Sequence, residues 1–360
     1  MLLSGTLHAQ AGLDDGTRFF EQPRPLTGTS ARFPSFVDYD DELLVVYQES
    51  VATENSEEED VDAGGTIRIV VQATRDGRSW ELTGGEVGPI SFAGETEPFV
   101  FSTARGPGDS LYLAVTWSAD ETRIFRSPDR GRSFSLVHTV STAQTNVAPR
   151  MYRMADGSML LFVNTNLQGR QQSVYLHSPD GSSWSEPAQI APDPELGLVF
   201  LPSHTTVNGR DVVVFQAINI TTRSTYQLYL VQSEDGGRSW SEPRRVTNFV
   251  DPGETEDADL YDNQRPDIVA DPAGESVLMA WERRFQSGSP QVYLLGLTPE
   301  GETTGLVEEV TGRFELARFP RIALDDGEPV IVWFTNPQGN SRIILGRRGG
   351  FRWSTQELSP

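Results

Sequence analysis

The chain has 360 residues, a formal net charge of −22 and 29 basic residues, all of them arginine; without a basic patch for phosphates, nucleic acid is excluded as a partner. Cysteine is absent, which excludes disulfides, thiol chemistry and Cys-ligated metals, and no run approaches the ~18 apolar residues of a membrane helix. Plentiful glycine (33) and proline (23) point to many short strands joined by turns.

Taken in chain order, residues 1–11 come first. Ala9-Gln10-Ala11 has the small-x-small pattern that ends a secretory signal, although the apolar part is short and no basic start precedes it. The reading is an exported protein, secreted, periplasmic or cell-surface, with one domain over 12–360. Residues 19–26 then form a strand-like run ahead of a unit that occurs six times.

Each unit opens at a proline, at Pro34, Pro98, Pro149, Pro202, Pro266 and Pro320. A second strand-like run follows at 43–47, 111–117, 159–163, 212–215, 277–281 and 330–333. A third lies at 66–71, 122–126, 173–177, 226–232, 291–297 and 341–345, then a turn, then a fourth run. The units recur at intervals of 51 to 64 residues. Four strands at that period predict the blades of an all-β, six-bladed β-propeller. Blades closed on one another leave no free sheet edge. The strand at 19–26 is expected to complete the sixth blade, although 353–358 also reads as a fourth strand.

The turn between third and fourth strands carries the most specific pattern. It reads Ser-Glu-Asp-Gly-Gly-Arg-Ser-Trp at 233–240 and Ser-Pro-Asp-Arg-Gly-Arg-Ser-Phe at 127–134. Thr-Arg-Asp-Gly-Arg-Ser-Trp at 74–80 and Ser-Pro-Asp-Gly-Ser-Ser-Trp at 178–184 are one residue shorter, and degraded copies lie at 15–20, 297–303 and 347–353. Glycine supplies the positive φ of a tight turn, aspartate accepts from turn N–H groups, and the terminal aromatic plugs space between blades. Nothing there needs a substrate, so Asp76, Asp129, Asp180 and Asp235 are expected to be structural.

These turns resemble the Asp boxes, or BNR repeats, of the sialidase superfamily of propellers. The resemblance implies that the boxes lie on the face opposite the active site. Function then belongs to first-strand starts and the loops between second and third strands, where His204, Asp262, Asn263, Arg265 and Arg318 stand. Ala31-Arg-Phe-Pro34 resembles the family's Arg-Ile-Pro motif, which implies that Arg32 belongs to an arginine triad gripping a sugar carboxylate, with Arg265 and Arg318 as its companions. The segment from Asp62 into the first box resembles the one bearing the family's acid/base aspartate, which makes Asp62 the proton donor. Tyr261 with Glu282 is the nominated nucleophile and base, because the sixth blade, where the family places its tyrosine, has none in its first strand. The implied activity is retaining exo-hydrolysis of a carboxylate-bearing sugar, with a tyrosine nucleophile in place of the second carboxylate.

The competing reading is a non-catalytic propeller that binds a glycan, glycoconjugate or protein partner through Trp117, Trp281 and Trp333 at the ends of second strands. The same tryptophans could simply pack the blades. The acidic runs 55–62 and 251–262 lack EF-hand spacing, so no metal is expected, nor any cofactor.

Overall fold

The structure is a computed structural model. It describes residues 31–51, 65–77, 79–92, 100–141, 149–167, 170–222, 225–251, 253–286, 288–312, 316–336, 342–350 and 352–358, with the side chains of Ala31 and Arg32 left outside. Asp62, the acidic run 55–62 and the strand expected at 19–26 also lie outside the described residues.

The described residues form six antiparallel sheets of four strands, each in simple meander order. The first sheet holds β1 (Ala31–Tyr39), β2 (Glu42–Ser50), β3 (Thr66–Thr74) and β4 (Glu81–Ser91). The second holds β5 (Phe101–Gly106), β6 (Ser110–Ser118), β7 (Glu121–Ser127) and β8 (Ser135–Ser141). The third is β9 (Arg150–Arg153), β10 (Met159–Leu167), β11 (Arg170–Ser178) and β12 (Ala188–Gln189). The fourth is β13 (Leu196–Val207), β14 (Arg210–Asn219), β15 (Gln227–Ser233) and β16 (Arg244–Arg245). The fifth is β17 (Tyr261–Ala270), β18 (Val277–Phe285), β19 (Gln291–Leu297) and β20 (Glu308–Glu309). The sixth is β21 (Ala317–Asp325), β22 (Glu328–Thr335), β23 (Arg342–Gly349) and β24 (Arg352–Glu357). Among the described residues the only helical pieces are two 3-10 turns, Pro107–Asp109 and Ala258–Leu260.

This is the composition of a six-bladed β-propeller. One detail differs from expectation. The sixth sheet takes its fourth strand from β24, at the C-terminal end, because β23 and β24 are joined by a tight turn and pair along their whole length. A hairpin partner that close in sequence costs little loop entropy.

Two compact units divide the chain. One contains the first two sheets, β9 and most of β10; the other contains β11, β12 and sheets four to six. In the first, Leu44, Val46, Ile69, Val71, Phe101, Leu111 and Leu113 are fully buried in one cluster. In the second, Val212, Val214 and Leu228 of sheet four pack with Val277, Met279 and Leu295 of sheet five. Alternate residues of each strand supply these contacts, as the two-residue repeat of a strand requires.

A carboxylate stitches three sheets of the second unit together. Asp267 of β17 accepts from the Ser203 hydroxyl of β13 (3.1 Å) with one oxygen and from the Ile322 N–H of β21 (2.9 Å) with the other. This fixes the relative height of β13, β17 and β21.

Four first strands share one irregularity. Phe33, Leu201, Arg265 and Phe319 each precede a proline and each have φ between 51° and 55°. At each place the pairing register slips, so that two residues face one on the second strand. The residue faced is Tyr47, Phe215, Trp281 or Trp333. A bulge absorbs the proline's missing N–H, and a large aromatic fills the space beneath it.

Candidate functional site

The box turns are built from their own residues. In the fourth sheet, Asp235 Oδ1 accepts from the Arg238 and Ser239 N–H groups (3.0 and 2.9 Å), and Oδ2 accepts from the Ser239 hydroxyl (2.6 Å). Asp129 does the same with Ser133 (2.9 and 2.6 Å), and Asp180 accepts from the N–H groups of Ser182 and Ser183 (2.8 and 2.7 Å). Asp76 accepts from the Ser79 N–H at 2.8 Å. Burial pushes the Asp129 and Asp235 carboxyls up, but hydrogen bonds from the neighbouring serines outweigh it and hold both at about 2. Backbone N–H groups hold Asp180 at about 2 as well. The box aromatics pack inward: Trp240 meets Tyr175 edge-on and Trp184 stacks on His138. Gly181 has φ +74°, and a Cβ there would lie 2.2 Å from the Tyr112 hydroxyl, so only glycine fits.

Two of the three candidate tryptophans are core residues rather than a recognition surface. Trp281 is fully buried, with its indole N–H on Asn263 Oδ1 (2.9 Å), and Trp333 is buried in the core of sheets five and six. Their places beneath the proline bulges explain this. Trp117 is half-buried, with the Arg123 guanidinium 4.1 Å over its ring. The candidate His204 is also internal: its Nε2 lies 2.9 Å from Asp211 Oδ1, which also accepts from the Thr206 hydroxyl and the Ala155 N–H.

Tyr261 and Glu282 lie on the same sheet but are not brought together. Tyr261 pairs with Phe285, and Glu282 pairs with Gln264. Odd-numbered residues here share one face: Tyr261 and Asn263 meet Arg283 and Trp281, with Arg283 stacked 3.9 Å over the Tyr261 ring. Asp262, Gln264, Glu282 and Arg284 leave from the opposite face, where Arg284 and Gln264 both donate to Asp262 Oδ2 (3.0 and 2.6 Å). Tyr261 is buried, and its hydroxyl accepts the Asp251 N–H at 2.9 Å. Burial pushes its hydroxyl pKa up. The arrangement offers no route for Glu282 to activate Tyr261.

What Glu282 does instead is gather arginines. Its Oε2 accepts from Arg265 Nη1 at 2.8 Å and its Oε1 from Arg318 Nε at 3.4 Å. Glu282 is nearly buried, Arg265 is 19% exposed and Arg318 is 37% exposed. Two of the three arginines expected to converge therefore meet at one point. They do not arrive from equivalent places: Arg265 is itself the bulge residue, whereas Arg318 precedes its bulge, as Arg32 does in the first strand. The main chain supports the geometry, because the Arg265 N–H donates to Gln216 of the fourth sheet (2.8 Å). Among the described residues, Nη1 and Nη2 of Arg318 have no protein acceptor.

Two neighbours were not singled out by sequence reasoning. Phe319, the sixth sheet's bulge residue, is 49% exposed, with the Arg265 and Arg318 guanidinium carbons 4.4 and 5.2 Å from its centroid. Tyr226, half-buried just before β15, donates its N–H to Asp262 Oδ1 (2.9 Å). Burial raises its hydroxyl pKa, Asp262 raises it further, and Arg265 opposes both. The Arg-Phe-Pro spelling shared by 32–34 and 318–320 is the signal that could have found Phe319. Among the described residues no group of three or more His, Cys, Asp or Glu could hold a metal ion.

No protein-family model matches the chain. A sialidase of Bacteroides fragilis (strain YCH46) is 25% identical over 199 residues, which covers 50% of this chain and 35% of that protein. The matched region is thus about a third of that relative's length. The structure of a family-25 polysaccharide lyase, an ulvan lyase bound to a GlcA–Rha3S chain, superposes with a TM-score of 0.55 at 12% identity over 89% of this chain and 81% of its own. The Trypanosoma rangeli sialidase bound to sialic acid superposes with a TM-score of 0.51 at 15% identity over 90% of this chain and 55% of its own. The chain itself is a sialidase-like β-propeller, whose six four-stranded sheets superpose on both solved structures.

Proposed function

We propose that the chain acts on glycans and takes the carboxylate of an acidic sugar at Arg265 and Arg318. The observation that carries this is the convergence of both guanidinium groups on Glu282, with the outer nitrogens of Arg318 uncommitted among the described residues. Two arginines and one glutamate leave one net positive charge in a chain of net −22. That balance suits a single carboxylate, which an arginine fork grips through two parallel N–H donors. The sialic acid and GlcA of the two superposed complexes are both carboxylate sugars.

The sequence likeness to a sialidase favours a second step on this site, hydrolysis with Asp62 as proton donor. The retaining mechanism expected from the family then needs a nucleophile other than Tyr261. Export, read from Ala9-Gln10-Ala11, belongs to the same proposal. The test is turnover of fluorogenic glycosides, sialosides and glucuronides included, alongside calorimetric binding of the free sugars. Cleavage by the wild type that is lost in Asp62→Asn supports the hydrolase. Binding without cleavage, lost in Arg318→Ala, supports recognition alone. Neither binding nor cleavage of any acidic sugar overturns the proposal.

A further inference from the structure

Of the four residues at the proline bulges, three are half-buried, and only Phe319 is exposed. Phe33 packs against the first unit's core, and Arg265 is spent on Glu282. Phe319 instead stands beside the charged cluster with almost half its surface in water. Its ring is held rather than loose. Phe334 meets it at 71°, with centroids 6.5 Å apart, and two guanidinium groups lie close over it. A φ of 55° on a bulky residue is sterically costly.

We infer that Phe319 is the stacking platform for the ring of the bound sugar. This inference rests on the acidic-sugar reading of the same site. A pyranose presents a C–H face that packs on an aromatic ring, while its carboxylate reaches the uncommitted fork of Arg318, the adjacent residue. Charge alone does not distinguish a cyclic acidic sugar from an acyclic sugar acid. The platform does, because an acyclic acid has no rigid apolar face to offer and must be ordered on binding. The ligand class is therefore a monoanionic pyranoside.

The experiment compares two probes of equal charge, methyl glucuronide and the acyclic acid gluconate, by calorimetry on the full-length protein. Wild type is expected to prefer the glucuronide about tenfold, the order that one aromatic contact supplies. Phe319→Ala is expected to bind the two probes equally, Phe319→Trp to restore the preference, and Arg318→Ala to lose both. A preference that survives in Phe319→Ala overturns the platform while leaving the arginine site standing. Loss of both probes in Phe319→Ala, without rescue by Phe319→Trp, also overturns it, since a role in packing alone would give that pattern. If wild type binds neither probe, or Arg318→Ala binds both unchanged, the underlying site reading fails and the platform falls with it.

Discussion

The box turns and the Glu282 cluster both immobilise a carboxylate, and they do so in opposite ways. Asp235 is held by groups no more than four residues away, nearly all of them turn N–H groups and serine hydroxyls. Glu282 is held by guanidinium groups 17 and 36 residues distant, one from its own sheet and one from the next. The first arrangement is complete as soon as the turn forms. The second exists only after sheets five and six have packed. A carboxylate satisfied locally is a building part. One satisfied by long, partly exposed arginines keeps donors in reserve, and those donors can meet a ligand.

Four substitutions test this contrast, in falling order of expected effect. Trp281→Ala empties the space beneath the fifth sheet's bulge and leaves Asn263 without the indole donor. It should cost about 3–5 kcal/mol in a urea titration. A cost near zero would return Trp281 to the list of surface recognition residues. Glu282→Gln leaves two arginines with a neutral partner and should cost about 1–3 kcal/mol. A double-mutant cycle with Arg265→Met should show coupling of about 1 kcal/mol, and strict additivity would mean the pair is incidental.

Asp235→Ala should cost about 1–2 kcal/mol, as loss of an N-cap does, with no change in sugar binding. The same turns set an acid limb. Asp129, Asp180 and Asp235 sit at about 2 in the fold against 3.8 for the free carboxyl. Their stabilisation is therefore complete above about pH 4 and fades as pH falls towards 2. An acid transition that is identical in wild type and Asp235→Ala would remove the turns from its cause. Tyr261→Phe should cost least, about 0.5–1.5 kcal/mol for the lost acceptor of the Asp251 N–H. Any glycoside turnover should persist in this variant, and its abolition would restore the tyrosine as nucleophile.

The contrast also explains what could be read from the sequence. The blade repeat was legible because each blade repeats the same local instructions: a proline, alternating strands, then the Asp-Gly turn. Arg265, Arg318 and Glu282 were legible as candidates because they stand at strand starts and ends. Their meeting was not, since it depends on how adjacent sheets align. Tyr261 and Glu282 looked like partners because they share a sheet, yet strand alternation sends them to opposite faces. Trp281 and Trp333 looked like a surface because the bulge opposite each leaves little trace beyond a proline. Phe319 was not legible because an aromatic before that proline looks like a packing residue, as the half-buried Phe33 is.

The proline bulge acts as an adapter between two numbering schemes. It takes up one extra residue, and antiparallel pairing resumes beyond it one place out of step, as Asp267 with Ala280 and Arg321 with Val332 show. A side chain can therefore reach the cluster either from the bulge, as Arg265 does, or from the position before it, as Arg318 does. A functional group can move one place along such a strand without disturbing the packing below. Aligning these blades residue against residue would pair Arg318 with Gln264 and miss that Arg265 serves the same point in space.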